Sequence, residues 1–410
     1  MTFGTNDRSR TVIAHNIMYE GPSTVTNDFL ESWRNFVPFP SYQVFQRGVY
    51  FSVELVPNRL AAISLNTLYW FDSNKGKSVG SAVCLHIHIA GSAAVDGCPK
   101  KGNDPGTLEL DWLEVQLKIY RSRKMQVWLT GHVAPTEGDY FPRCFTRYGE
   151  IALRYQDTIL GHLFGHKNLD HFIIHSIDDI LAPTPPMRIT GRKKESLIAD
   201  KLHAEFKELS KQKKVDYDDY FIVNIGPSVI PEYTPSIRVF TYNVTGADSD
   251  GSSPVAKVDD EPLDSEEMNA SKIDCRKKDN KNKKKCVFKK PRHANKRSPS
   301  RRNTLWSPTG YAQFYIPESS WTNVSRPPLY ELEYVTYSLS NLRDANVTLI
   351  PQHLLPPELR GGSIETLAKS NYAPFGLRDL TIPSWIKFAR KLGQRKKLWK
   401  RFRDVMFLET

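Results

Sequence analysis

A chain of 410 residues that is 40% hydrophobic and 11% aromatic has ample material for a packed core, which excludes a largely disordered protein. No uninterrupted apolar run reaches the ~18–20 residues of a membrane span, and the first residues lack the basic-then-apolar pattern of a signal peptide. The net charge of +12 is one patch and not a basic fold: residues 276–302 hold 14 Lys or Arg against a single acid, Asp279, so the rest sums to about −1.

In chain order, Asn27 is expected to cap a helix running through Trp33. Tyr50–Leu55 and Leu60–Asn66 read as strands, the first alternating and the second nearly all apolar, as a buried strand is. Leu108–Arg121 carries apolar residues at a helix period and leads into a strand, Met125–Thr130. Tyr148–Asp157 reads as a short helix before a strand at Thr158–Phe164. Helix-then-strand repetition implies an α/β layer architecture over residues 1–176. Residues 177–246 continue with a Lys- and Glu-rich helix, Lys193–Lys214, and strands Phe221–Ile225 and Ile237–Val244. Residues 247–303 read as a disordered surface insertion, acidic to 268 and basic beyond. Within 304–410, strands are expected at Tyr311–Ile316 and Glu331–Leu339. From Trp385 to Met406 an aromatic stripe at helical spacing, with nine Lys or Arg among 387–403, predicts an amphipathic basic helix. Its plain reading is a helix docked by that stripe; a surface helix touching polyanions or anionic membrane is the sharper one.

Two Gly-His pairs end apolar, strand-like runs: Gly131-His132 after Met125–Thr130, and Gly165-His166 after Thr158–Phe164. Ligands of open α/β sheets gather at the carboxyl ends of strands, and neutral imidazole is the commonest metal ligand. A lone His at a strand end is usually structural. Two delivered there by separate strands, each after a glycine that lets the backbone turn, favour a metal site.

Four N-x-[ST] sequons, at Asn243, Asn269, Asn323 and Asn346, and cysteines that pair as Cys98 with Cys144 and Cys275 with Cys286 suggest the secretory pathway. Cys84 is left over.

Leu129-Thr130-Gly131-His132-Val133-Ala134-Pro135-Thr136, the run Tyr155 to His166 and Asn168-Leu169-Asp170-His171-Phe172 closely resemble the fungal endopolyphosphatases. These are calcineurin-like metallophosphoesterases near the acid sphingomyelinase branch. The resemblance continues in Phe45–Tyr50, Leu65–Lys75, Phe221–Tyr233, Leu380–Ile386 and Leu398–Phe402, and so covers nearly the whole chain. It implies a four-layer α/β/β/α β-sandwich flanked by helices, incomplete at its N-terminus, with a C-terminal α+β extension. It also implies metal-dependent hydrolysis of internal phosphoanhydride bonds of inorganic polyphosphate, in the vacuole.

The resemblance implies two divalent metals, with His132 and His166 as ligands. Asn168 replaces a second His of the Gly-His-x-His element, and its amide oxygen favours Mn²⁺, Mg²⁺ or Co²⁺ over Zn²⁺. His171 is implied as a supporting group or an extra phosphate contact. Gly4-Thr5-Asn6-Asp7 stands where the superfamily has Gly-Asn-His-Asp. Thr5 then takes the place of the metal-bridging Asn, and Asn6 with Asp7 the catalytic, phosphate-contacting positions. A one-residue slip would instead make Asn6 the ligand. The family's Asp-x-His and Gly-Asp-x-x-Asp elements would precede Gly4, as would its membrane anchor, so the chain reads as an N-terminally truncated member. Residues 76–94 begin Gly76-Lys77-Ser78, as a translated intron donor would. Their Cys84-x-His86-x-His88 pattern is therefore read as read-through, not as a zinc site; 8–13 is a second such segment.

Three readings compete. The first is the enzyme, with Lys283, Lys284 and Lys285 and the tail helix holding polyphosphate through salt-sensitive contacts. The second is a catalytically incomplete homologue that binds polyanions without turnover. The third, nucleic-acid binding by the Lys/Arg run, ranks last because a generic basic insertion usually has no such role. Oligomeric state leaves no mark in the sequence.

Overall fold

The computed structural model describes residues 21–73, 97–100, 104–182, 194–229, 234–246, 290–321, 327–338, 350 and 352–406. They form two compact units. One contains the described residues up to 166 with 175–182 and 290–294; the other contains 167–174, 194–246 and 295–406. The boundary expected at residue 176 is thus crossed twice, because 167–174 belong with later chain before 175–182 return.

In the first unit, helix α1 (Thr24–Ser32) is opened by Ser23, not Asn27. The Ser23 hydroxyl accepts the Thr26 N–H at 3.2 Å while the Thr26 hydroxyl accepts the Ser23 N–H at 2.8 Å. This reciprocal cap satisfies two donors that the helix itself cannot. Asn27 lies inside the helix and accepts from Gln46. After α2 (Tyr42–Gly48), strands β1 (Phe51–Val56) and β2 (Leu60–Ser64) pair antiparallel around Asn58, whose φ of 58° is tolerated by asparagine. Helix α3 (Pro105–Ser122) starts on Asp104, which accepts the Thr107 N–H at 2.9 Å, and buries Leu110, Leu113 and Leu117. It feeds β3 (Gln126–Val133), which runs three residues past the expected end and carries His132 inside the strand. Helix α4 (Pro142–Arg154) begins six residues before the expected Tyr148, because Pro142 occupies the first turn, where its missing N–H costs nothing. Strand β4 (Ile159–Gly165) follows, and a short α5 (Ile177–Leu181) returns to this unit. Strands β2, β3 and β4 are parallel neighbours in that order, the α/β arrangement expected from helix-strand alternation.

Cys98 and Cys144 form the expected disulfide, with Cα atoms 5.3 Å apart. It pins 97–100 to α4 across 46 residues of sequence. Chain entropy for such a loop corresponds to about 4 kcal/mol. The double variant Cys98→Ala/Cys144→Ala should lose about 2–4 kcal/mol in urea unfolding. A variant as stable as the oxidised parent would show that the loop is held by its packing alone.

The second unit contains β5 (His171–Ser176, through Ile174), α6 (Lys194–Lys211) and β6 (Tyr220–Ile225). A three-stranded antiparallel sheet follows, with order β7 (Ser236–Tyr242), β8 (Pro308–Tyr315) and β9 (Glu331–Val335). A short α7 (Ile364–Lys369) precedes the tail, which is two helices and not one: α8 (Ile382–Gln394) and α9 (Lys396–Met406). Arg395 is extended, with φ −110° and ψ 99°, and breaks the register. The aromatic stripe is buried as the plain reading expected, Trp385 at 4.4 Å from Phe172 and Trp399 at 5.3 Å from Phe402 between ring centroids. At Gly393 a Cβ would lie 2.3 Å from the Phe206 carbonyl oxygen, so α8 crosses α6 backbone against side-chain-free backbone.

Of the stretch 247–303 expected as an insertion, residues 290–303 are described and take part in the fold. Lys290 pairs with Glu114 at 2.6 Å, and the His293 N–H donates to the Arg154 carbonyl at 2.7 Å. In the second unit Arg301, buried, pairs with Asp218 at 2.5 Å. These basic residues are ion-pair partners of the fold, which a charge count alone cannot separate from a solvated run. Among the described residues no helix is long and apolar enough to cross a membrane.

Candidate functional site

His132 is the seventh residue of β3, and His166 directly follows β4. Val133 pairs with Gly165 in the parallel ladder, so adjacent strands deliver both imidazoles at their carboxyl ends. The rings meet edge to face, centroids 5.3 Å apart at 79°, and Phe71 closes on His166 at 5.0 Å. Neither glycine makes a turn. Gly131 is required because a Cβ there would lie 2.4 Å from the Phe164 ring and 2.6 Å from the Thr67 methyl. A Cβ on Gly165 would meet only the His132 carbonyl and ring at 3.7–3.8 Å, ordinary contact. The left-handed conformation falls instead on His166 (φ 68°) and Asn168 (φ 61°). Such positions cost about 1–3 kcal/mol and persist where surrounding structure over-determines them.

Burial first, then the neighbouring His166, pushes the His132 imidazole down to about 3, so the ring stays neutral and keeps a nitrogen lone pair. The strand end beneath it is rigid. The Thr67 hydroxyl accepts the Val133 N–H at 2.8 Å, the Tyr140 hydroxyl donates to the Val133 carbonyl at 2.9 Å, and the Leu65 N–H donates to the Thr130 carbonyl at 2.9 Å. Thr67, Phe71 and Tyr140 are supporting residues that the sequence reading did not single out. The aromatic run Tyr69-Trp70-Phe71 beside β2 was the available signal. His162, also on β4, is a core histidine, its Nδ1 2.7 Å from the Tyr148 hydroxyl, and burial followed by His175 pushes it down to about 3.

One layer further in, Glu109 on α3 is fully buried and accepts the Asn66 N–H at 2.7 Å. Burial pushes its carboxyl well above the ordinary range, only partly offset by that hydrogen bond. The folded protein keeps this proton where the unfolded chain releases it, so the group's contribution is full below the ordinary carboxylate range and stability falls as pH rises above it. Glu109→Gln should remove that slope. The stability of the variant relative to the parent should grow between about pH 4 and about pH 7. A difference independent of pH in urea unfolding would show an ionised Glu109.

Asn168 and His171 belong to the second unit. There His171 is buried with its Nδ1 2.8 Å from the Leu169 carbonyl. Asp170 between them is held by Arg238 and by the Tyr334 hydroxyl. Asn243 is half-buried, its amide donating to Asn303 at 2.9 Å and its oxygen accepting the Thr245 N–H at 2.8 Å. Asn6, Asp7, Lys283, Lys284, Lys285, Asn269, Asn323, Asn346, Cys275 and Cys286 lie outside the described residues. So do Cys84, His86 and His88, with segments 8–13 and 76–94.

Two imidazoles at adjacent strand ends, His132 kept neutral by burial, have the donor chemistry of a divalent-metal site. Among the described residues no group of three or more His, Cys, Asp or Glu side chains comes together to hold a metal. The pair therefore fits as part of a ligand set.

No family model matches the chain. Among curated proteins it is similar to one of Cryptococcus neoformans var. neoformans named Endopolyphosphatase, 36% identical over 499 aligned residues that cover all of this chain and 70% of that one. Proteins of the same name from Schizosaccharomyces pombe (28%, covering 95% of this chain and 61% of that one) and Saccharomyces cerevisiae (25%, 100% and 67%) are also similar. The chain thus spans roughly 60–70% of these relatives' lengths.

Proposed function

The chain belongs to the endopolyphosphatase family, and from that premise we propose that it hydrolyses internal phosphoanhydride bonds of inorganic polyphosphate to shorter chains. The observation that carries this reading is the imidazole pair at the carboxyl ends of β3 and β4, with His132 held near its place by Thr67 and Tyr140. His132 and His166 would hold divalent metal, with the Asn168 amide oxygen as a further ligand and Asn6 and Asp7 acting at the phosphate. Mn²⁺, Mg²⁺ or Co²⁺ suits a set of imidazole and amide oxygen better than Zn²⁺. When bound, two such ions supply Lewis-acid stabilisation of the phosphoryl charge. The chain's own contribution is positional: burial keeps His132 neutral, Phe71 packs against His166 on one side, and buried His171 supports the loop that bears Asn168.

The mixed α/β framework supports a calcineurin-like four-layer α/β/β/α sandwich for the catalytic part, with 304–410 as its extension. The Cys98–Cys144 disulfide agrees with an oxidising compartment and with the vacuole. Glycans on Asn243, Asn269, Asn323 and Asn346 and a second disulfide, Cys275–Cys286, complete the reading. Lys283, Lys284 and Lys285 would contact polyphosphate, and no specific nucleic acid is involved.

Purified protein incubated with long polyphosphate and Mn²⁺ tests this on a gel. Mid-length fragments that appear early, and disappear with a chelator, are expected. Release of terminal phosphate alone would overturn the endo mode. Metal-independent binding without any cleavage would establish the polyanion-binding homologue instead.

A further inference from the structure

Six exposed cations lie on α8, α9 and the residue that joins them: Lys387, Lys391, Arg395, Lys396, Lys397 and Lys400. Among the described residues none of the six is in an ion pair, and the sequence from 387 to 403 contains no acid at all. Their neighbours show what structural arginines do here. Arg390 donates to the Gln212 carbonyl at 2.8 Å and Arg401 to the Asn371 carbonyl at 2.6 Å. Lys387 and Lys391 stand four residues apart on α8, about 6 Å along the helix, and Lys396 and Lys400 stand likewise on α9, with the extended Arg395 between the two pairs. Lys396 and Lys397 also open α9, which has no acid in its first turn. A helix start disfavours cations by about 0.3–1 kcal/mol each, so this charge does not serve helix stability.

We infer that these six cations of the second unit form a holding site for a polyphosphate chain that retains long substrates on the protein. The inference rests on the polyphosphate reading above for its ligand. A linear polyanion with charge at every unit suits a stripe of solvated ammonium and guanidinium groups, bound through release of its counterions. The same surface is poorly suited to two other polyanions. The apolar faces of both helices are consumed in the core, Trp385, Phe388, Leu392, Trp399 and Phe402 all being buried, so nothing is left to enter a bilayer. No large hydrophobic or aromatic side chain between 365 and 406 is exposed, and Trp399 is stacked on His203 at 4.4 Å, so no ring is offered to nucleic-acid bases.

The test is the fourfold neutralised chain Lys391→Gln/Arg395→Gln/Lys396→Gln/Lys397→Gln, with glutamine chosen because it preserves helix propensity. Labelled long polyphosphate and a short oligophosphate are titrated at several salt concentrations with chelator present, so the result does not depend on whether the chain turns over. An unchanged thermal midpoint confirms the fold. Long-chain affinity should fall at least about 10-fold and its salt slope should shrink by roughly 3, just under one per lost contact. Affinity for the short oligophosphate should change less than about twofold, because it cannot span the stripe. An equal loss for both lengths, or no loss for either, overturns the proposal. So does displacement of polyphosphate by single-stranded DNA or by anionic vesicles at equal phosphate concentration.

Discussion

His132→Ala should lower polyphosphate hydrolysis by more than about 100-fold while leaving the fold intact. Groups that merely orient a metal ligand cost about 10–100-fold in affinity or activity when removed, and a ligand itself should cost no less. The fold should survive because Thr67 and Tyr140 fix the strand end through backbone atoms of Val133, which the substitution does not touch. His166→Ala should behave alike, whereas Asn168→Ala should lose less, since an amide oxygen is the weaker donor. Turnover with Mn²⁺ alongside far-UV circular dichroism checks this. Activity of His132→Ala within about threefold of the parent would remove the imidazole pair from the mechanism and with it the proposed site.

The largest stability effect is expected at Arg238. Its guanidinium lies buried among Asp170, the Gln313 amide oxygen at 2.9 Å and the Tyr311 ring at 4.1 Å, and the Tyr334 hydroxyl donates to the second Asp170 oxygen. Arg238→Met keeps much of the volume but strands the Asp170 carboxylate in a site shielded from water. Breaking a buried pair in this way costs about 3–5 kcal/mol, far more than any exposed ion pair contributes. Urea unfolding should show that loss, and Arg238→Met/Asp170→Asn should recover part of it by removing the stranded charge. A loss below about 1 kcal/mol would mean that water reaches Asp170 after all. Because Asp170 is two residues from Asn168 and adjacent to His171, this network is also what ties that loop to the sheet of β7, β8 and β9.

Much of this was legible because periodicity and local chemistry are sequential. The apolar period of 108–121 located α3, the alternation at 50–55 located β1, and the nearly all-apolar run 60–66 located β2. The Gly-His spacing located both imidazoles, since a residue ending a parallel strand has its place fixed by the strand itself. Boundaries were less legible. Ser23 outcompeted Asn27 as a cap because Thr26 could answer it reciprocally, and Arg395 broke a stripe whose aromatic spacing runs on almost unperturbed.

Sequence alone therefore determined the α/β class, the positions of His132 and His166, the Cys98–Cys144 pairing and the uneven charge. Tertiary structure alone decided what each group does. Gly131 is glycine because Phe164 and Thr67, distant in sequence, crowd it. Arg301 is a buried ion-pair partner while Lys396, equally basic, faces water. The Glu109 carboxyl is pushed well above the ordinary range because the chain folds around it. Burial and close approach depend on residues far apart along the chain, and solvation sets both the strength of a charge and the cost of leaving it unpaired.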